Sequence, residues 1–193
     1  MKYDVILAGV GGQGVLSVAT IIAHAALSDG YEVRQSEVHG MAQRGGQVIS
    51  HMRISDKKIA SDLVPRGSAN MIIAMEAMEG LRYISYLKPD GILVSAAESY
   101  VNIDNYPDIN KIHSSIKRLP KWRIIKTAEL AKEAGLAKAA NTVMIGAASG
   151  FLPVKSQTLE KIITETFAKK DANAVQANAK AFKLGQAASK ANV

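Results

Sequence analysis

The sequence predicts an α/β protein with an open, mostly parallel sheet, flanking helices and a helical C-terminal part. Three observations carry this. A β-branched apolar run, Tyr3–Ala8, leads directly into four glycines within the six positions Gly9–Gly14 and then into a stretch of helical periodicity. Short apolar runs then alternate with helix-like segments, the pattern of strands joined by crossover helices. The composition, 48% hydrophobic and 21% charged over 193 residues, is that of a globular protein able to bury a core without staples. We read one domain over residues 1–193.

Each element has its own signal. Tyr3–Ala8 is a buried first strand. From Gly12 to Asp29, Val15, Val18, Ala19, Ile22, Ala25 and Ala26 recur at helical spacing, and Gly30 is the stop. Tyr31–Val38 is a second strand, so the chain opens as strand, glycine turn, helix, strand, a Rossmann-like βαβ beginning. Gly40–Gly46 (GMAQRGG) is a loop, because glycine so dense does not hold a regular element. Gln47–Ile54 alternates as a half-buried strand, Ser55–Lys58 is a polar turn, and Ile59–Ser61 is expected to pair back as a short hairpin strand. Asn70–Ala74 is a buried strand, Glu76–Leu87 a helix, Lys88–Gly91 (KPDG) a turn and Ile92–Ala96 a further strand. Ala97–Lys121 carries no strong periodicity, and Arg123–Lys126 reads as the last strand. Helices follow over Thr127–Ala134, Ala139–Gly150, Ser156–Ala168 and Asn173–Lys190, with Ser156 as a cap.

Composition excludes several chemistries. With no cysteine the chain forms no disulfide, no thiolate nucleophile and no Cys-ligated zinc or iron–sulfur centre. No apolar run is long enough for a membrane span, and the N-terminus lacks a signal-peptide pattern, so a cytoplasmic protein without membrane contact is expected. The net charge of +7 comes largely from lysines interleaved with acids, a solvated surface, and with 5% aromatics and no recognition motif no nucleic-acid partner is expected.

Gly9-Val10-Gly11-Gly12-Gln13-Gly14 satisfies the GxGxxG pattern after a strand and before a helix. Glycines there allow close backbone approach, and the free N–H groups and dipole of a helix start attract an anion. A dinucleotide site also needs an acid at the end of the second strand, about 20 residues on, and Glu37 is the candidate. A free-standing NAD(P)-dependent oxidoreductase is therefore one reading. Glycines serving strand–helix packing, and another anion or a partner chain at the turn, are others. No Lys-Ser/Thr follows the glycines, so a triphosphate cradle is not supported.

The second loop, Ser36-Glu37-Val38-His39-Gly40-Met41-Ala42-Gln43-Arg44-Gly45-Gly46, falls where the second strand ends, and in an open α/β sheet such loops line the ligand crevice. It is expected to face the glycine turn across that crevice. Arg44 suits a phosphate or carboxylate, and His39 a general base; both are catalytic candidates, each with a structural role as the alternative. His24, His51 and His113 have no evident partners, and no metal-ligand spacing occurs.

Together, GVGGQGVLSVATIIAHAALSDG and SEVHGMAQRGGQVISHMRIS resemble the gamma-type domain of the 2-oxoacid:ferredoxin oxidoreductases, and the SEVHGMAQRGG form is most similar to the indolepyruvate type. The resemblance continues through DLVPRGSANMIIAMEAMEGLR, KPDGILVSAAE, NTVMIGAASGFLP and AFKLGQ, nearly the whole chain. It implies a non-cluster subunit, inactive alone, of an enzyme that decarboxylates aryl 2-oxoacids to aryl-acetyl-CoA and reduces ferredoxin. Thiamine diphosphate, Mg²⁺ and the iron–sulfur clusters would sit on a large alpha subunit, with coenzyme A as co-substrate and ferredoxin met through the complex. No thiamine signature (GDG, then an Asn pair) occurs in this chain. Residues matching the family's loops are Gly9, Gly11, Gly12, Gln13, Gly14, Ser36, His39, Gly40, Arg44, Gly45 and Gly46. Asn141 also matches, as a cap or anchor of the helix under the crevice.

Overall fold

The computed structural model describes residues 1–39, 45–101, 103–168 and 172–191. Among these, strands β1 (Lys2–Val10), β2 (Glu32–His39), β3 (Gln47–Ser55), β4 (Ala69–Ala74), β5 (Leu87–Ala96) and β6 (Trp122–Ile125) form one sheet in the order β2-β3-β1-β4-β5-β6. β1, β4, β5 and β6 pair in parallel, as the sequence predicts. The opening βαβ unit differs from expectation, because β3 inserts antiparallel between β1 and β2.

A buried ion pair holds that insertion in register. Asp4 and Arg53 are cross-strand neighbours, and Arg53 Nε donates to Asp4 Oδ1 at 3.0 Å with both side chains buried. Arg53 Nη1 also donates to the carbonyls of Ser61 and Leu63, so one guanidinium ties β1, β3 and the following connection together. A slip of one residue would part buried Arg53 from Asp4, whose other ion partner, Lys2, is exposed and lies on the same strand, and so bury an unpaired guanidinium, which makes the pair a register device. His51 adds to the same anchorage. Its Nδ1 accepts from Val64 N at 3.1 Å, and burial lowers its pKa, so the neutral ring carries its proton on Nε2. With the Ser55–Ala69 connection held this way, Ile59–Ser61 forms no hairpin strand.

Helices cover both faces. α1 (Val15–Ser28), α4 (Thr127–Glu133), α5 (Ala140–Ser149), α6 (Ser156–Ala168) and α7 (Ala172–Ala191) pack with Val5, Leu7, Met71, Ile73 and Val94 on one side. α2 (Ala77–Arg82) and α3 (Ile109–Ile116) cover Ile6, Ile72 and Leu93 on the other. The expected helix from Glu76 is shorter, with Glu76 as its cap and a 3₁₀ turn at Ile84–Tyr86. The expected KPDG turn lies inside β5, where the pairing shifts from Ala69 with Leu87 to Met71 with Ile92 and the extra residues bulge out.

α5 is buried from Thr142 to Ser149, which is why its sequence shows little amphipathic contrast. Two glycines let α7 approach it: a Cβ at Gly146 would lie 2.1 Å from the Phe182 carbonyl oxygen, and one at Gly185 2.0 Å from that of Val143. Thr142 Oγ1 donates to Asn178 Oδ1 in the same seam.

Ser156 opens α6 but does not cap it; its hydroxyl accepts from Gln186 Nε2 at 2.6 Å. The acceptor at that helix start is Asp29 from the end of α1, whose carboxylate takes Lys155 N and Thr158 Oγ1, both at 2.7 Å. Asp29→Ala is expected to destabilise the protein by about 1 kcal/mol, within the range of 0.5–2 for lost helix caps. Denaturant unfolding checks this, and an unchanged midpoint refutes the cross-helix cap.

Candidate functional site

The glycine turn sits at the carboxyl end of β1, and three of its four glycines have separate reasons. At Gly9 a Cβ would meet Val15 Cγ2 at 2.7 Å and Met75 Cβ at 3.1 Å, so this glycine lets β1, α1 and the end of β4 close up. Gly12 (φ 101°) has open space where a side chain would begin. Gly14 (φ 77°) ends the turn as the N-cap of α1, without any side chain capping that helix. Gln13 folds back on the turn: its Oε1 accepts from Val10 N at 2.8 Å and its N–H donates to Val10 O at 3.0 Å. It shapes the loop from within.

The turn opens on a hollow of about 240 Å³ lined by Val10, Gly11, Gly12, Gly14, Val15, Leu16 and Val48. The walls are backbone and apolar side chains, while the first N–H groups of α1 lack intrahelical partners and face the anion-favouring end of the helix dipole. The arrangement suits close approach of an anionic group to the main chain.

The two loops meet where described. Gly11 N donates to Gly46 O at 2.7 Å, and Gly45 N donates to Gly11 O at 3.2 Å. Ser36 lies within β2 opposite His51, and His39 ends that strand. Gly40 and Arg44 lie outside the described residues. Asn141 is the second residue of α5, whose N-cap is Ala139, so it is not a cap. Its Nδ2 fills the space over Gly14, 2.4 Å from where a Cβ would be, which makes it an anchor between α5 and the turn.

The dinucleotide reading loses its geometry. Glu37 aligns with Ser50 on β3, which aligns with Leu7 on β1, so it stands two strands, about 10 Å, from β1. An acid that grips a ribose must end the strand beside the glycine turn, and here that neighbour is β3.

Sequence reasoning missed a buried polar cluster beside the turn. Met75 N donates to Ala8 O, and the next residue, Glu76, is fully buried. Its carboxylate accepts from Glu79 N at 2.8 Å, Tyr100 N at 3.3 Å and the Tyr106 hydroxyl. Glu79 is buried as well; its Oε1 accepts from Arg82 Nε at 2.9 Å, while Oε2 has no hydrogen-bond partner. Burial, opposed by Arg82, raises the Glu79 pKa. The available signal was Glu76 three residues before Glu79 at a helix start, a capping arrangement. His113 also gains a partner, Ala97 O, at 2.9 Å from Nε2. His24 is exposed on α1. No group of three or more potential metal ligands gathers among the described residues.

Two tests follow from this geometry. Gly9→Ala overpacks the β1–α1 junction and is expected to destabilise by about 1–3 kcal/mol, against about 0.5 or less for the exposed Leu16→Ala; equal urea midpoints refute the packing role. Because the Glu79 pKa is raised on folding, its stabilising contribution is full below the ordinary carboxyl value of 4.5 and falls as pH rises through the folded value. Glu79→Gln removes that loss, so its melting temperature should improve relative to wild type between pH 4 and 8. A pH-independent difference refutes it.

Residues 4–188 match the protein family described as pyruvate ferredoxin/flavodoxin oxidoreductase. The indolepyruvate oxidoreductase subunit IorB of Pyrococcus horikoshii is 36% identical, over 98% of this chain and 96% of its own. The crystal structure of a keto/oxoacid ferredoxin oxidoreductase gamma subunit from Geobacter sulfurreducens superposes with a TM-score of 0.70 at 25% identity, covering 98% of this chain and 99% of that one. A 2-oxoglutarate:ferredoxin oxidoreductase from Magnetococcus marinus, solved with 2-oxoglutarate, coenzyme A and succinyl-CoA bound, shares the fold with a TM-score of 0.78 at 24% identity. This chain is covered completely there but spans only 32% of the matched chain. The chain belongs to the pyruvate ferredoxin/flavodoxin oxidoreductase family and matches small subunits of that family over nearly their whole length.

Proposed function

We propose that the chain is the non-cluster small subunit of an indolepyruvate, or more broadly arylpyruvate, ferredoxin oxidoreductase. The observation that carries this is the match to IorB over nearly the full length of both chains. The enzyme would convert an aryl 2-oxoacid, coenzyme A and two oxidised ferredoxins into aryl-acetyl-CoA, carbon dioxide, two reduced ferredoxins and a proton. Thiamine diphosphate with Mg²⁺, which stabilises the carbanion left by decarboxylation, and iron–sulfur clusters, which carry single electrons, are assigned to a large partner subunit. The absence of cysteine from this chain supports that division.

The glycine turn is this chain's contribution to the shared site. Gly12 and the uncapped start of α1 fit an anionic group brought against the backbone, since an added Cβ at Gly12 meets nothing and the helix amides are open. A coenzyme A phosphate is the anion that this reading assigns there. Gly9, Gln13 and Asn141 hold the turn in shape, and Gly45 and Gly46 join the second loop to it; Arg44 and His39, the candidate groups of that loop, are assigned by this reading to the same site. The chain orients and encloses; it supplies no redox group.

Purified alone, the chain should be colourless and catalytically silent. Co-expression with a large cysteine-rich partner should give a brown complex that reduces a low-potential acceptor in the presence of indolepyruvate and coenzyme A. Micromolar binding of NAD(H) by the isolated chain would overturn this reading.

A further inference from the structure

We propose that the ends of α5 and α7, together with Arg123 of β6, form a second binding site, one that takes a small carboxylate with an apolar body. The site is a cavity of about 300 Å³ whose polar lining includes Arg123, Gln186, Ser189 and Lys190 and whose apolar wall includes Ala147 and Phe151. It is separate from the glycine turn and does not depend on the subunit reading. Asn141 at the start of α5 covers Gly14, and the helix rises about 12 Å from there, at about 1.5 Å per residue, before it reaches the cavity at Ser149.

Ser189 is the group that points to a ligand. It is 6% exposed and lines the cavity, yet its Oγ is buried without a hydrogen-bond partner. Buried hydroxyls are nearly always paired, because desolvation without a partner is unfavourable. The wall around it is already fixed. Gln186 Nε2 donates to Ser149 Oγ at 3.1 Å and to Ser156 Oγ at 2.6 Å, and Ser149 Oγ donates to Gly146 O at 2.7 Å. Those groups satisfy one another and leave the Ser189 hydroxyl for whatever occupies the cavity.

Two cations set the sign of that occupant. Arg123 Nε donates to Ser189 O and Nη1 to Trp122 O, both at 2.7 Å, and the guanidinium carbon lies 5.4 Å from the centroid of the Phe151 ring. The side chain is thereby aimed, and neither bond uses Nη2. Neither Arg123 nor Lys190 is ion-paired with a carboxylate among the described residues. A planar guanidinium, an ammonium and a hydroxyl donor on one cavity match a carboxylate. The Phe151 and Ala147 walls, and a volume well beyond that of a bare inorganic anion, match an apolar body attached to it.

The test is calorimetric titration of the purified chain with phenylacetate, with benzyl alcohol as the same ring without the charge and inorganic phosphate as a charge without the ring. Phenylacetate should bind saturably at one site, and each control about tenfold more weakly or worse. Gly150 offers a block, because it lines the cavity with ordinary right-handed backbone (φ −70°) and a Cβ there meets nothing within 4 Å. Gly150→Leu should therefore abolish binding while the melting temperature of the free protein holds or rises. Ser189→Ala should weaken binding about fivefold with no loss of stability, since it deletes an unpaired hydroxyl. Absence of saturable phenylacetate binding, or wild-type affinity in either variant, overturns the site. Equal affinity for phosphate reduces it to a general anion patch, and equal affinity for benzyl alcohol to an apolar hollow; either result overturns the carboxylate assignment.

Discussion

The antiparallel insertion of β3 is the constraint on which the rest of the molecule depends. β1 and β3 pair over nine positions, from Lys2 with Ser55 to Val10 with Gln47, and the Asp4–Arg53 ion pair lies buried near one end of that ladder. An inserted strand moves β2 outward and delivers Gly45 and Gly46 to Gly11. It also makes Val48 a wall of the hollow at the turn. A plain βαβ unit would have put β2 beside β1 and an acid beside the glycines, the arrangement of a dinucleotide site. One strand therefore changes what the same glycine pattern can bind.

The helical layer stabilises that turn from behind. Asn141 covers Gly14, and it stands on α5, which the Gly146 and Gly185 contacts draw against α7. Close backbone approach in that seam leaves no room for side-chain adjustment, so a shift of α7 would be transmitted through α5 to the turn. Phe182 is fully buried in the same seam, where removal of a large side chain typically costs about 3–5 kcal/mol. Fold stability and turn geometry thus share residues distant in sequence.

Much of this was legible in the residues. The parallel strands, the glycine turn and the late helices follow from apolar runs, glycine spacing and helical periodicity, and the boundaries of the late helices agree closely, whereas β5 starts five residues before the expected Ile92. β3 was legible as a strand but not as a central one. Its alternation of Val48, Ser50, Met52 and Ile54 with Ile49, His51 and Arg53 looks half-solvated, yet the strand is buried from Val48 to Ser55. The polar members are tolerated because Asp4 neutralises Arg53 and Val64 N satisfies His51, partners that lie outside any local window. α3 escaped for a different reason: Asp108 caps it and Ile109, Ile112 and Ile116 share a face, but the Asn, Asp and Pro residues before it mask so short a pattern. At the candidate site the glycines and the meeting of the two loops were readable, whereas the Asn141 contact and the buried Glu76 cluster depend on tertiary packing.

The distribution of polar side chains bears on how such a chain acts. Arg53, His51, His113, Glu76 and Glu98, which might have been taken for catalytic groups, are each engaged with the chain's own backbone or with a buried counter-charge. At the turn, Gln13 is likewise spent on Val10. What the hollow offers a ligand is chiefly main chain: open amides at the start of α1, Gly12 without a side chain, and apolar walls. Backbone donors held by a rigid frame recognise an anion by position and do not titrate near neutral pH. A surface of that kind holds an anion in place but offers it no acid, base or nucleophile, and it is on this property that the proposed small-subunit role rests.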